Sequence, residues 1–391
     1  KKKEEYSWYK ISGVPFSSLN ESERDNILNN FAAIFSALED GTILIQNGIE
    51  QFQYENDTFD VMRTSFYIYA KRDIPYFYGT SEEPKRPKIV KERYNLVELE
   101  DGRKAQIAVA YFYPKMLPEG FLYSAFSIVD EIVLKWKTLK KHQSMQLVDS
   151  ARKRKESLLS EEKTGRLERE TAALNVLANR IMSGADLVEF YLYFIYTGKD
   201  LAELKEKFTE LKDTMKFFGI EIDIPHFYQK PLYNLKTTRD SFIPFMNSIE
   251  KKYIDTDSLK PFFPFISEEI VEDGGVFLGV SGTGNRIVYN PYKKVNYNIV
   301  ILGESGSGKS MTNKVLQRRY YKLHPEWPLI GLDPENEYVK PQVARALGAI
   351  PVEIDLKELE ASGEGLGLDP VKMYHEEILD IDEVSSLISS F

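Results

Sequence analysis

The stretch "YNIVILGESGSGKSMTNKVLQRRYYKL" (Tyr297–Leu323) decides how the carboxyl-terminal part of this chain folds. Its first six residues, "YNIVIL", end in four aliphatic side chains and read as a buried β-strand. "GESGSGKS" (Gly303–Ser310) follows, and "SMTNKVLQRRYYKL" (Ser310–Leu323) reads as a helix. The spacing G-x-x-x-x-G-K-[ST] is met by Gly303, Gly308, Lys309 and Ser310. A phosphate cradle needs a strand, a glycine loop and a helix in this order. Glycines let successive backbone N–H groups converge on phosphate oxygens, and the helix N-terminus adds a favourable dipole. Lys309 can reach the β- and γ-phosphates, and the Ser310 hydroxyl can ligate Mg²⁺. The candidate nucleotide contacts are therefore Gly303, Glu304, Ser305, Gly306, Ser307, Gly308, Lys309, Ser310 and Met311. The implied cofactors are ATP and Mg²⁺. A merely structural glycine turn does not explain a strand on one side and a helix on the other.

A second constellation follows. "WPLIGLD" (Trp327–Asp333) reads as the next parallel strand and runs into "DPENEY" (Asp333–Tyr338). Ligands of such sheets sit beyond the carboxyl ends of the strands, so Asp333, Glu335 and Glu337 would point toward the phosphate loop. Asp333 is then a candidate Mg²⁺ ligand. Glu335 and Glu337, with Lys309, are candidate catalytic residues that orient water or stabilise charge. The other reading is a helix cap, with Asp333 capping and Glu335 favouring the dipole. "ALGAIPVEIDL" (Ala346–Leu356) reads as a turn and a third strand.

The rest of the 391 residues demands more than one ordinary core. Apolar residues make up 42%, enough for a sizeable interior, and the net charge of -9 excludes a wholly basic nucleic-acid coat. Without cysteine there are no disulfides and no thiolate-bound metals. The four histidines, His142, His226, His324 and His375, are too scattered for a ligand spacing. No apolar run reaches the roughly 18–20 residues of a membrane span. The chain opens on "KKKEEY" and not on Met, which leads us to expect an upstream piece.

Residues 1–250 read as one mixed α+β domain. "NILNNFAAIFSALEDG" (Asn26–Gly41) has helical spacing, while "TILIQ" (Thr42–Gln46) and "AQIAVAYFY" (Ala105–Tyr113) read as strands. "YGTSEEPKRPK" (Tyr78–Lys88) reads as a loop. Residues 135–183 read as a charged helical segment. Within it Lys135, Lys137, Lys140, Lys141, Arg152, Lys153, Arg154 and Lys155 face only Asp149, a local net of +7. That stretch is either a solvated helix face or a patch for nucleic acid or anionic headgroups. Residues 187–224 then form a βαβ unit: an aromatic strand, an Asp200-capped helix and the strand "IEIDI". "KKYIDTDSLKPFFPF" (Lys251–Phe265) is polar and then Pro-rich and reads as a linker, leaving 266–391 as the P-loop domain.

The segment "PFFPFISEEIVEDGGVFLGVSGTGNRIVYNPYKKVNYNIVILGESGSGKS" (Pro261–Ser310) resembles the ATPase domain of the type IV secretion and conjugation ATPases, the VirB-four class. "DPENEY" with "ALGAIPVEI" is similar to that family's acidic box and following strand, and "YFYPKMLPEGFL" (Tyr111–Leu122) to its Tyr-Pro element. The resemblance implies an α/β chain with a mixed α+β amino-terminal docking domain and a RecA-like domain of the HerA–FtsK type. It further implies a hexameric ATPase motor that moves DNA or protein. Its partners would be the inner-membrane and channel subunits of a secretion apparatus, with anionic lipid as a further contact. The location it implies is cytoplasmic, peripheral on the cytoplasmic face of the cell membrane. Such a motor also needs a later strand ending in acidic residues and an arginine supplied in trans. "EILDIDEV" (Glu377–Val384) reads as helix or loop, so we expect the P-loop domain to be incomplete at its carboxyl end.

Overall fold

The computed structural model describes residues 6–16, 19–54, 57–71, 74, 76–161, 165–235, 252–281, 284–296, 298–304, 306–326, 337–338, 340–348 and 350. The chain separates into two compact units, residues 1–289 and 290–391.

The first unit is built on one large sheet. Its elements are β1 (Ser7–Ile11), α1 (Glu21–Ala37), β2 (Asp40–Tyr54), β3 (Asp57–Ala70), β4 (Gly79–Ser81), β5 (Ile89–Glu92), β6 (Val97–Leu99), β7 (Lys104–Phe112) and β8 (Glu131–Thr138). A helical pair, α2 (Lys141–Glu161) and α3 (Gly165–Met182), leads into β9 (Leu187–Gly198). Then come α4 (Leu201–Phe217), β10 (Glu221–Asp223), α5 (Gln229–Tyr233) and β11 (Tyr253–Asp255). The sheet order is β4-β1-β3-β2-β8-β9-β7-β6-β5, with β10 added to β7 and β11 to β9.

The side-chain period of a strand is two, so alternate residues serve opposite faces. On β2, β3, β8 and β9 the residues Ile43, Ile45, Phe66, Ile68, Leu134, Trp136, Phe190, Leu192 and Phe194 serve one core, capped by α1 and α4. Leu44, Tyr67, Val133, Tyr191, Tyr193 and Ile195 serve the other. β9 is covered on both faces and both edges, and all its residues are buried. This is why it reads as an unbroken apolar and aromatic run. Gly41 is required where it stands: a Cβ there would lie 2.4 Å from the Trp136 ring. Helix α1 begins at a reciprocal capping box, in which the Asn20 side chain accepts from the Glu23 N–H and the Glu23 carboxylate accepts from the Asn20 N–H.

The βαβ reading holds in a split form. β9 and β10 each pair antiparallel with β7, so they run parallel to one another with β7 between them. Asp200 caps α4 by accepting from the N–H groups of Ala202 and Glu203, as its position predicts.

Two expectations are corrected. The segment 251–265 is not a linker where it is described. Tyr253–Asp255 pairs with β9, and Phe262, Phe263 and Phe265 are buried in the main core. A Pro-Phe-rich string resembles a linker in composition, yet its rings are what the core needs. The basic stretch is also not one helix from residue 135. Lys135 belongs to β8 and is only 1% exposed, and the helical pair begins at Lys141. Within the pair Arg152 meets Asp149 and Glu156, and Lys155 meets Glu170 of α3.

The β2–β3 hairpin outruns the sheet, because β8 accompanies β2 only from Asp40 to Gln46. Its outer half carries a small sheet of β12 (Ile270–Val271), β13 (Val276–Val280) and β14 (Arg286–Tyr289) in the order β12-β14-β13. Phe277 packs among Phe52, Tyr54 and Phe59, the Arg286 guanidinium lies 5.4 Å over the Phe52 ring, and the Met62 N–H donates to the Gly284 carbonyl.

In the second unit the described elements are α6 (Lys309–Leu323), α7 (Pro341–Leu347) and a short turn at Pro291–Lys293. Residues 298–302 form no strand, and Val300 and Leu302 are 77% and 86% exposed. The strand expected at Tyr297–Leu302 is therefore not formed where it is described, and the segments read as its neighbours (327–333 and most of 346–356) lie outside the described residues. α7 opens with Pro341 and ends at Gly348, so Ala346 and Leu347 are helix and not the turn expected there.

Candidate functional site

Helix α6 begins at Lys309, and its cap, Gly308, has a left-handed φ of 90° and no side chain with which to close the helix end. Gly306 is likewise left-handed, at φ 80°. Both positions are strained for a residue carrying a Cβ. At Gly303 a Cβ would come within 2.5 Å of the Ser307 hydroxyl, a side-chain oxygen that would have to turn aside. The loop folds over itself through a bond from the Ser307 N–H to the Glu304 carbonyl, 3.2 Å, and α6 starts with one from the Thr312 N–H to the Gly308 carbonyl, 2.9 Å. The glycines therefore satisfy the backbone geometry that the spacing predicts.

Lys309 donates its ammonium to the Glu304 carbonyl at 2.6 Å. The charge thus sits over the loop and not along the helix. Gly303, Glu304, Gly306, Ser307, Gly308, Ser310 and Met311 are exposed, with Lys309 half-buried. The result is an exposed glycine loop at a helix N-terminus with the Lys309 ammonium over it, features suited to a phosphate chain. The residues fit a nucleotide: left-handed Gly306 and Gly308 lead the loop into the N-terminus of α6, whose first two residues are Lys309 and the hydroxyl-bearing Ser310. Ser305 lies outside the described residues, as do Asp333 and Glu335.

Glu337 is described, and its neighbours were not foreseen. Its carboxylate accepts from Lys314 of α6 at 2.5 Å. The same ammonium lies 5.1 Å over the Tyr338 ring, and the Asn313 amide donates to the Tyr338 hydroxyl at 3.2 Å. The end of the acidic box is thus attached to the helix that follows the phosphate loop. These contacts join residues more than 20 positions apart, so no local pattern announces them.

No group of three or more His, Cys, Asp or Glu is arranged for a metal among the described residues. Among the same residues, no helix is long and apolar enough to cross a membrane.

Residues 280–386 match the family model of the central domain of helicase HerA. The match contains the glycine loop and α6, and supports a HerA/FtsK-type P-loop ATPase domain that uses nucleotide. It opens at Val280 and so includes β14, which packs in the first unit. No curated protein matches the chain.

Proposed function

We propose that this protein is an ATPase motor of a type IV secretion, conjugation-like apparatus, energising its assembly or the passage of DNA or protein through it. The observation that carries the motor reading is the glycine loop Gly303–Gly308 capping α6 with Lys309 over it. The secretion role rests on the resemblance of Pro261–Ser310 and of the acidic box. In this reading the loop amides and Lys309 hold the phosphates, and Ser310 and Asp333 hold Mg²⁺. Glu335 and Glu337 supply the carboxylates that orient water. Bound Mg²⁺ would draw charge from the phosphate oxygens.

The first unit carries the docking function. Its partners are the inner-membrane and channel subunits, and it places the protein on the cytoplasmic face of the membrane, self-associated as a hexamer. Lys153 and Arg154 are exposed on α2 and offer a contact for anionic headgroups. A second reading, a HerA–FtsK-type pump acting on DNA without a channel, is favoured by the match to helicase HerA.

The test is phosphate release from MgATP by the full-length protein, with duplex DNA and with membranes containing channel subunits. Stimulation by the membranes supports the secretion reading, and stimulation by DNA alone supports the pump. Binding without turnover in every mixture contradicts both and leaves a nucleotide-dependent assembly scaffold.

A further inference from the structure

The outer half of β2 is an open sheet edge. β8 accompanies β2 as far as Gln46, and one last bond follows, from the Asn47 N–H to the Asp130 carbonyl at 2.8 Å. The Asn47 side chain donates to the carbonyls of Phe126 and Val129 and so ties down the segment that enters β8. Main-chain groups alternate between the two edges of a strand. Ile49, Gln51 and Gln53 therefore turn their N–H and carbonyl groups to the side that β8 has left, while β3 takes the other edge. All three residues are exposed, Ile49 by 76%, and their outward groups have no partner among the described residues. The small sheet packs on one face of the hairpin, through Phe52, Tyr54 and Phe59, and leaves this edge open. Proteins ordinarily blunt a free edge with proline, lysine, a bulge or shortness. β4 and β10 are three residues long, and β5 has a register shift. Gly48–Gln53 has none of these devices and runs for about 20 Å at the usual strand rise.

At the foot of this edge is a cleft of about 560 Å³, whose walls include Gly48, Ile49, Lys85, Arg103, Asp130 and Lys207. Its acids are already matched. Asp130 accepts from the Thr197 N–H at 2.7 Å and lies 3.3 Å from Arg103, Glu131 pairs with Arg86, and Glu50 with Arg63. Lys207 donates to the Thr197 carbonyl and lies 3.6 Å from Glu203. Lys85 is exposed, and its ammonium meets no acid among the described residues. The charge that the cleft lacks is negative.

We propose that the free edge of β2 is a docking site for an extended, acidic segment of a partner protein, which adds as a strand along Gly48–Gln53 and sets a carboxylate beside Lys85. Main-chain bonds to Ile49, Gln51 and Gln53 supply the affinity, and the cleft supplies the choice of partner. The segment takes the place beside β2 that β8 leaves. This deepens the docking role proposed for the first unit and involves no nucleotide.

The probe is a phage-displayed library of random short peptides, selected on the full-length protein. Wild type should enrich peptides that alternate β-branched or aromatic residues and carry Asp or Glu. The most enriched peptide, made synthetically, should bind wild type saturably in fluorescence anisotropy. Gln51→Pro should weaken that binding at least about tenfold, by removing an outward N–H and obstructing the ladder. The lost N–H points away from β3, so the hairpin keeps its own bonds and the variant its melting profile. Lys85→Glu should weaken binding several-fold, most strongly at low salt. N-methylation of the peptide amides that face β2 should abolish binding, and methylation of those that face away should not. That arm tests the ladder without altering the protein, should Gln51→Pro fail to fold. Equal affinity for the two methylated peptides, equal affinity in folded Gln51→Pro and wild type, or enrichment of peptides without acids would overturn the inference. Selection of no peptide, with self-association that Gln51→Pro abolishes, would assign the edge to a second copy and overturn it as well. Each of these results leaves the docking role itself to the membrane assay above, which can succeed without this edge.

Discussion

Phe277 of the small sheet and Phe59 of the β2–β3 hairpin pack with ring centroids 4.8 Å apart, and Phe52 and Tyr54 complete the cage. The hairpin tip, which projects beyond the main sheet, is therefore occupied by the strands that lead into the HerA-like match. A solvated hairpin of this length would be marginal by itself.

Phe277 is 1% exposed, so Phe277→Ala should destabilise the small sheet by about 3–5 kcal/mol, the usual cost of deleting a buried ring. Hydrogen exchange should show faster exchange at Met62 and across 284–289, with the β8–β9 ladder unchanged. Unaltered exchange at those amides would mean that the cage carries no weight.

Arg86 and Glu131 form a near-buried pair, 2.6 Å apart with side chains 13% and 7% exposed, and the guanidinium also stacks on Tyr233 at 3.9 Å. Arg86→Met leaves the Glu131 carboxylate buried without its partner and should cost about 3–5 kcal/mol in chemical denaturation. The double variant Arg86→Met/Glu131→Gln should recover much of that loss. A single variant as stable as wild type contradicts this account.

Lys135 is sealed in the same face. Burial, and then the neighbouring Arg86 charge, bring its ammonium from the ordinary 10.5 down to about 7. Below pH 7 both folded and unfolded chains hold the proton, and the full burial penalty is present. Above pH 7 the folded chain releases it while the unfolded chain keeps it until about 10.5, so stability rises with pH across that window. Measured between pH 7 and 9, wild type should gain stability relative to Lys135→Met. Parallel curves would show that Lys135 keeps its charge when folded.

Much of this sheet was legible in the sequence. β7, β9, the Asp200 cap and α4 show their period and their boundaries locally. What escaped was decided at long range. Lys135 counts as a surface cation until β2 and β9 close over it. Phe262, Phe263 and Phe265 look like a linker until the core receives them. The start of α1 was missed although Asn20 and Glu23 have the spacing of a capping box. In the site, the glycine loop could be read because its geometry is local. The contact of Lys314 with Glu337 could not, because it depends on how two segments 23 residues apart meet.

The structure also sharpens the lipid prediction. Arg152 and Lys155 are already paired, whereas Lys153 and Arg154 are exposed. Lys153→Glu/Arg154→Glu should weaken co-sedimentation with anionic vesicles at low salt and leave neutral vesicles unaffected, each lost cation contributing on the order of 1 kcal/mol. Co-sedimentation equal to wild type would make α2 a solvated face.

The central claim is that Gly303–Ser310 holds the phosphates of a nucleotide, and calorimetric titration of a slowly hydrolysed MgATP analogue into wild type and Lys309→Ala tests it most directly. Lys309 is half-buried and bonded only within its own loop in the contacts described, so the variant should keep the wild-type melting profile. The account predicts saturable one-site binding by wild type and its loss, by about a hundredfold or more, in Lys309→Ala. Equal affinity in the two proteins would contradict it.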